Sequence, residues 1–138
     1  MSHPREEAIR EMLKGQHFMH HLGFQITNIE DGLVIGAMNL EQFAFQHFGR
    51  VHGGVIMTAA DLVMGFAAYT RAPETAKVVT LDLHQNFLAS GKGDQLMAIG
   101  RVLKTGSRII YCEAEIFTVE QNHKTLIGKA ASNMAVIP

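Results

Sequence analysis

The stretch from residue 50 to residue 69, RVHGGVIMTAADLVMGFAAY, constrains the fold more than any other part of the sequence. It predicts a helix that is apolar on every side, and such a helix is either enclosed within a globular protein or crosses a membrane. Thr58, Asp61 and Gly65 interrupt the apolar run, which falls short of the roughly 20 residues that a bilayer core requires. We therefore expect this helix at the centre of a globular fold.

The rest of the chain is expected to enclose this helix. Residues 5–23 predict a short N-terminal helix, and Asp31-Gly32 predicts a hairpin turn within residues 24–41. Four further stretches have the apolar alternation of strands: residues 77–88, 94–104, 108–119 and 124–137. In the first of these, Val79, Leu81 and Leu83 are expected to share one buried face. The order predicts a single α+β domain over residues 1–138, with a long central helix wrapped by a curved antiparallel sheet of about six strands.

Charge and cysteine content restrict the partners and the compartment. The chain has 12 Lys and Arg against 13 Asp and Glu, so it has no overall field that would attract nucleic acid or an anionic membrane. Cys112 is the single cysteine and cannot form an intramolecular disulfide, which fits a reducing compartment. The first residues contain no apolar signal segment. We expect a cytoplasmic protein that binds neither nucleic acid nor membrane.

Two features of the central helix predict chemistry. Asp61 lies among alanine, leucine and valine residues, where an ionised carboxylate costs several kcal/mol to bury unless it has a partner or a task. Gly53 and Gly54 lie where the chain enters the helix, so their N–H groups can polarise a carbonyl oxygen or stabilise an oxyanion. A plain tight turn is the alternative for the glycines, and His52 is expected to fix that turn by a hydrogen bond to the backbone.

The spacing of these features predicts a shared site. Asp61 follows Gly53 by eight residues, which places it about 12 Å farther along the helix axis. An aspartate side chain cannot reach across that distance. If both groups act on one carbonyl carbon, they must come from two protomers of a two-fold dimer with antiparallel helices.

The stretches QHFGRVHGGVIMTAADLVMGFAAY (residues 46–69) and VVTLDLHQNFLASGKGDQLMAIGRVLKTGSRIIYCEAEI (residues 78–116) resemble the hotdog-fold acyl-CoA thioesterases. The resemblance covers roughly residues 22–136 and is to the PaaI-like (phenylacetate-degradation) branch of the 4-hydroxybenzoyl-CoA thioesterase superfamily. Its sharpest part is the motif His52-Gly53-Gly54, with Asp61 nine positions after the histidine. It implies a hotdog fold and dimers or dimers of dimers that share active sites, with a homotetramer as the expected assembly.

The resemblance also implies a mechanism and its helpers. The Gly53 N–H would polarise the carbonyl of an aryl or medium- to long-chain acyl-CoA, while Asp61 of the partner attacks the carbon or activates a water. No cofactor is expected beyond the coenzyme A that the substrate carries. In relatives, side chains at the positions of Gln46 and Thr80 help to place water or the carbonyl, although many carry asparagine where this chain has Gln46. Some relatives also place a hydroxyl where this chain has Gly65.

Coenzyme A binding is predicted at cations and small residues near glycine-rich turns, which suit phosphate groups. Solvated loop charges are the alternative for these positions. The candidates are Arg50, Gly54, Ser90, Gly91, Lys92, Lys104, Ser107 and Arg108. His17, His20 and His21 have helical spacing but lack a supporting cysteine or acid, so we interpret them as surface or interface histidines and expect no metal.

Two other functions are considered. Hotdog-fold hydroxyacyl dehydratases use a histidine before the central helix and an acid on it, and His47 precedes Asp61 by fourteen residues. Those enzymes usually have a proline-containing segment where this chain has Arg-Val-His-Gly-Gly. The second alternative is a non-catalytic acyl-CoA binding module.

Overall fold

A long central helix and an antiparallel sheet dominate the structure, a computed structural model that describes residues 3–138. The first half of the chain forms α1 (Glu6–Leu13), α2 (His17–Leu22), β1 (Gln25–Glu30), β2 (Leu33–Asn39), a 3-10 turn (Gln42–Ala44) and the central helix α3 (Gly53–Tyr69). The second half forms β3 (Lys77–Thr80), β4 (His84–Phe87), β5 (Gln95–Thr105), β6 (Ile109–Glu120) and β7 (His123–Ile137).

The sheet has the strand order β1-β2-β5-β6-β7-β3, and β4 also pairs with β7. Because β3 and β4 pair with successive parts of β7, the seven strands within residues 3–138 occupy six positions across the sheet. All the pairings between these strands are antiparallel. The α+β fold with a central helix and about six strands is therefore confirmed.

Small residues let α3 pack closely on the sheet. Ala59, Ala60, Ala67 and Ala68 are buried, and a Cβ at Gly100 of β5 would lie 2.5 Å from the carbonyl carbon of Val63. Glycine is required at that position because the helix backbone lies directly over it. Within residues 3–138, no helix is both long and apolar enough to span a membrane.

The N-terminal segment forms two helices, where the sequence predicted one. α1 buries Ile9 and α2 buries Met19, and Gly15 and Gln16 lie between the two helices. Gln16 has a non-helical ψ of 73°, and glycine at the preceding position weakens a helix. The two short helices can therefore pack against the core in different directions.

A bulge divides the predicted strand over residues 77–88 into β3 and β4. Thr80 pairs with Met134, and His84 pairs with Ala131. The three residues 81–83 therefore lie opposite the two residues 132–133 of β7. The Asp82 carboxylate accepts hydrogen bonds from the Asn133 backbone N–H (2.8 Å) and from its side-chain amide (3.0 Å). An extra residue changes the face on which later side chains lie.

The prediction that Val79, Leu81 and Leu83 share one buried face is therefore wrong. Val79 and Leu81 are 44% and 57% exposed, whereas Leu83 packs against the core. Val78 also packs against the core, and the Thr80 side chain contacts α3. The strand therefore presents a hydroxyl to the central helix and an apolar surface to the outside.

Candidate active site

Asp61 lies on the side of α3 that the sheet leaves partly uncovered. Its side chain is half-buried, and its Oδ1 accepts a hydrogen bond from the Thr80 hydroxyl at 2.6 Å. The sequence argument expected this carboxylate to be enclosed, but the single chain leaves it on the wall of a cavity. Pairing of β3 with β7 holds Thr80 opposite α3, so these two predicted site residues meet across two elements, in a contact that the sequence analysis did not predict.

The cavity beside Asp61 has a volume of about 450 Å³. We call it the acid cavity and define it by Asp61, Leu62, Gly65, Phe66 and Tyr69 of α3 together with Thr80. Met12 and Gln16 from the N-terminal segment form part of its wall. Apart from Asp61, Thr80, Gln16 and Lys77, its lining residues are largely apolar, so it suits an acyl group whose carbonyl end is next to the carboxylate.

The first turn of α3 leaves one backbone donor available. His52 is the N-cap, and its Nδ1 accepts a hydrogen bond from the Gly54 N–H at 2.9 Å. The His52 carbonyl accepts from the Val55 N–H at 3.0 Å. Within residues 3–138, the Gly53 N–H has no hydrogen-bond acceptor. The predicted bond from His52 to the backbone therefore leaves Gly53 as the donor that can polarise a carbonyl.

A second cavity, of about 280 Å³, opens beside Gly53. We call it the amide cavity and define it by Gln46, Arg50, Gly53, Phe87, Ser90 and Gly91. Gly91 is buried, and its carbonyl accepts from the Val51 N–H at 3.0 Å. A Cβ at Gly91 would lie 3.0 Å from Ile127, so this glycine lets two loops meet and shapes the cavity.

The two cavities share no lining residue among the residues described. Asp61 and Thr80 lie in the first, and Gly53 and Gln46 lie in the second. The helix spacing of about 12 Å between Gly53 and Asp61 separates them. In one chain the acid and the amide therefore lie in separate cavities, and we call the acid cavity and the amide cavity the two half-sites.

The other predicted substrate-binding residues are dispersed. Lys92 lines a third cavity with Glu120 and His123. Lys104, Ser107 and Arg108 lie at the exposed turn between β5 and β6 and line none of these three cavities. The Gly54 N–H is occupied by His52.

The remaining histidines have local contacts. His20 Nε2 lies 2.8 Å from the Leu13 carbonyl oxygen, and within residues 3–138 no three His, Cys, Asp or Glu side chains form a group that could hold a metal. His47 is exposed, and its ring packs edge-on against Phe48 at 5.1 Å. His47 lines neither the acid cavity nor the amide cavity.

Cys112 lies outside the two half-sites. It is buried, its Sγ lies 3.7 Å from the Met64 carbonyl oxygen, and burial raises the pKa of its thiol to about 12. A thiol with this pKa stays protonated near neutral pH and is a poor nucleophile. Cys112 is therefore not a candidate nucleophile.

Sequence reasoning missed several cavity residues. A Cβ at Gly53 would lie 3.3 Å from the Phe87 ring, and Gln16 and Tyr69 line the acid cavity. These contacts join distant segments of the chain, so no local spacing indicates them. Only the glycine itself, placed at the start of a helix, signals that something approaches the backbone there.

Comparisons with known proteins identify the family of the chain. The family model described as the thioesterase superfamily matches residues 48–124, which is more than half of the chain. A Saccharolobus solfataricus protein named as an esterase is 31% identical over 110 residues, covering 79% of this chain and 78% of that protein. The 1,4-dihydroxy-2-naphthoyl-CoA hydrolase of Escherichia coli is 27% identical over 111 residues, covering 80% and 81%.

Solved structures share the fold. A thioesterase family protein from Silicibacter pomeroyi superposes with a TM-score of 0.91 at 24% identity, covering 94% of this chain and 95% of that chain. The PaaI protein of the E. coli phenylacetic acid degradation operon superposes with a TM-score of 0.88 at 20% identity, covering 99% and 96%. The chain therefore has the hotdog fold, belongs to the thioesterase superfamily and is an enzyme of the thioester hydrolase class.

Proposed function

We propose that this enzyme hydrolyses acyl-CoA thioesters at a site made by two copies of the chain. One observation carries the proposal: an aspartate with a hydroxyl partner and a free helix N-terminal amide lie in separate cavities of one chain. Neither cavity contains a complete set of groups for acyl transfer. A two-fold partner with an antiparallel α3 would bring the acid of one chain to the amide of the other.

In the proposed reaction, the Gly53 N–H donates to the thioester carbonyl oxygen and stabilises the negative charge that develops there. Asp61 of the partner either attacks the carbonyl carbon or takes a proton from an attacking water. The bond from carbon to sulfur breaks, and coenzyme A leaves as the thiol while the acyl group becomes a carboxylic acid. On the first route, water then hydrolyses the acyl-aspartyl anhydride. Neither route requires a metal or an organic cofactor, so we propose none.

The side chains near these groups have supporting roles. Thr80 orients the Asp61 carboxylate through its 2.6 Å hydrogen bond. His52 positions the first turn of α3, and Gln46 is placed in the amide cavity to contact the carbonyl or a water. The catalytic groups are therefore Asp61 and the Gly53 N–H, with Gln46 as a further contact.

Coenzyme A would enter from the side of the amide cavity. Arg50 and Ser90 lie beside Gly53 there, and a guanidinium next to small residues suits a phosphate. Lys92 lies on the same loop as Ser90. Lys104, Ser107 and Arg108 are at a different turn, so we propose that they contact the nucleotide only where the partner brings that turn to the site.

The free edge of the sheet supports the proposed dimer. Within residues 3–138, β3 and β4 pair only with β7, which leaves their other edge open. Val79, Leu81, Phe87 and Leu88 along this edge are each more than 40% exposed. An open edge with apolar side chains favours pairing with another chain. We propose a homodimer as the minimal active unit, a homotetramer as the assembly, and the cytoplasm as the compartment.

Thiol release from a panel of aryl, short-chain and long-chain acyl-CoA esters tests this function. Asp61→Asn should reduce kcat by about 10²–10⁴-fold, because it removes the base or nucleophile while keeping the shape of the side chain. Glu7→Gln is the matched control, since this exposed carboxylate on α1 lines none of the three cavities. Equal activity of Asp61→Asn and the control would contradict the proposal.

The same panel separates the two alternatives. A dehydratase would convert 3-hydroxyacyl-CoA without releasing thiol and would lose activity in His47→Ala. A binding module would bind acyl-CoA saturably in a titration and release no thiol. The exposed position of His47, outside both cavities, favours thiol release that survives His47→Ala.

A further inference from the structure

Gly65 lies on α3 one turn after Asp61 and lines the acid cavity. Two other glycines are required by packing against the backbone: a Cβ at Gly100 would lie 2.5 Å from the Val63 carbonyl carbon, and one at Gly93 would lie 2.9 Å from the Val119 carbonyl oxygen. A Cβ at Gly65 would meet no heavy atom within 4 Å in the described chain, apart from the local backbone of its own helix. Packing therefore does not explain glycine at this position.

Backbone geometry does not explain it either. Gly65 is inside a regular helix and is not among the residues with positive φ. Glycine in a helix interior is destabilising relative to alanine, which α3 uses at Ala59, Ala60, Ala67 and Ala68. The empty volume that glycine leaves in the acid cavity is the remaining physical consequence.

The acid cavity follows the helix from Asp61 past Gly65 to Tyr69. These residues are spaced four apart, so they share one face and extend about 12 Å along the axis. Tyr69 is fixed at the far end, because its hydroxyl donates to the Glu74 carbonyl at 3.2 Å and its own carbonyl accepts from Arg5 at 2.8 Å. Gly65 is at the middle of this groove.

We propose that Gly65 is a specificity-determining residue that keeps the groove open beyond the first helical turn. The enzyme then accepts apolar acyl groups that extend from Asp61 toward Tyr69, which are medium-length aliphatic or arylalkyl groups. The Leu62 and Phe66 side chains supply apolar contact along this path. This inference rests on the proposed function for its substrate, but the shape of the groove can be tested without catalysis.

The test compares Gly65→Ala and Gly65→Val with the native protein. Affinities for S-ethyl-CoA and S-octyl-CoA, which cannot be hydrolysed, are measured by calorimetry, and kcat/KM is measured for acetyl-, hexanoyl- and octanoyl-CoA. Gly65→Val should weaken S-octyl-CoA binding by about 30-fold and S-ethyl-CoA binding by less than about threefold, because only the longer chain passes residue 65. Gly65→Ala should have an intermediate effect and raise Tm by about 3 °C.

The outcomes distinguish this inference from the proposed function. Equal weakening of both ligands, no weakening of either, or a native preference for the ethyl ligand would overturn the role of Gly65. Absence of thiol release by the native protein would overturn the proposed hydrolysis, while the binding selectivity would still decide the role of Gly65. The expected higher Tm of Gly65→Ala serves as a folding control. With it, a loss of S-octyl-CoA affinity in that variant would not be a loss of folding.

Discussion

The acid cavity and the amide cavity differ in where their chemistry lies. In the acid cavity, the proposed reactive group is a side chain, Asp61, which accepts a hydrogen bond from another side chain, Thr80. In the amide cavity, the proposed reactive group is the Gly53 backbone N–H, which has no acceptor within residues 3–138, whereas Gly54 donates to His52 and Val55 to the His52 carbonyl. Substitution removes a side chain directly, whereas a backbone donor is lost only when the backbone itself is changed.

This difference explains why the motif contains residues of two kinds. His52, Gly53 and Gly54 determine the geometry of a helix start, and the sequence records them as one contiguous motif. Asp61, the proposed base or nucleophile, lies about two helical turns away. Neither half-site has the chemistry of the other, so the comparison predicts that each can be disabled separately.

The largest effect expected in the amide cavity comes from Gly53→Pro. Gly53 is the first helical residue, where proline is well accepted, and His52 already has the extended ψ of 134° that a following proline favours. The substitution removes the N–H and keeps the helix, so kcat for thiol release should fall by about 10²–10³-fold. Gly53→Ala, which keeps the N–H, is the matched control and should retain most activity. Equal losses in the two variants would show that Gly53 is not the donor.

Mixing two inactive proteins sharpens the comparison. We assume that each site uses Gly53 of one chain and Asp61 of the other. A mixed dimer of one Asp61→Asn chain and one Gly53→Pro chain then has one intact site and one site that carries both substitutions. An equal mixture should then regain about one quarter of the native specific activity, because half the dimers are mixed and each has one working site. Co-expression with two affinity tags isolates the mixed dimer for the assay. No recovery in that dimer would mean that both groups act within one chain.

A smaller effect is expected from Thr80→Val in the acid cavity. This variant keeps the shape of the side chain but removes the hydroxyl that orients Asp61. We expect kcat to fall about tenfold with little change in KM, the equivalent of one hydrogen bond to a charged group. Thr80→Ser restores the hydroxyl and should recover most of the loss. A change confined to KM would assign Thr80 to substrate binding.

The central helix and the strands were predictable from local pattern. The apolar run of residues 50–69 and the alternation of the later segments depend on periodicities of 3.6 and 2 residues, which a sequence shows directly. The positions of Asp61 and the glycines as candidates were also accessible, because a carboxylate in an apolar helix and glycines at its start are locally unusual. A hydrogen bond between His52 and the backbone of the turn followed from the same local reasoning, and the structure gives Gly54 as its donor.

The remaining features depend on contacts between distant segments. The bulge at Asp82 needs Asn133, which is 51 residues away along the chain, so alternation alone assigned Val79 and Leu81 to the wrong face. The wall that Met12 and Gln16 add to the acid cavity depends on the break between α1 and α2. No spacing within residues 5–23 indicated where those helices would dock.

Asp82 joins the two regions, because β3 lines the acid cavity on one side of it and Phe87 of β4 lines the amide cavity on the other. Hydrogen bonds from the Asn133 side chain and backbone lower the pKa of the Asp82 carboxyl below its ordinary value of 3.8. The contribution of these hydrogen bonds to the stability of the fold is therefore complete above the ordinary pKa. It is lost as the pH falls from the ordinary pKa through the lowered pKa of the native protein.

The smallest effect is consequently expected for Asp82→Asn and should depend on pH. At pH 7 the variant should melt roughly 1–2 °C below the native protein, since the carboxylate is exposed and its bonds compete with water. The difference should narrow as the pH falls below about 4, because the carboxylate of the unfolded chain then takes up a proton that the native carboxylate still excludes. Asp94→Asn is the control, because the Asp94 side chain makes no hydrogen bond within residues 3–138, and its effect on Tm should not narrow in this way. A constant Tm difference for Asp82→Asn from pH 7 to pH 3 would mean that the bulge is held by the backbone alone, and the register between the two half-sites would then not depend on this carboxylate.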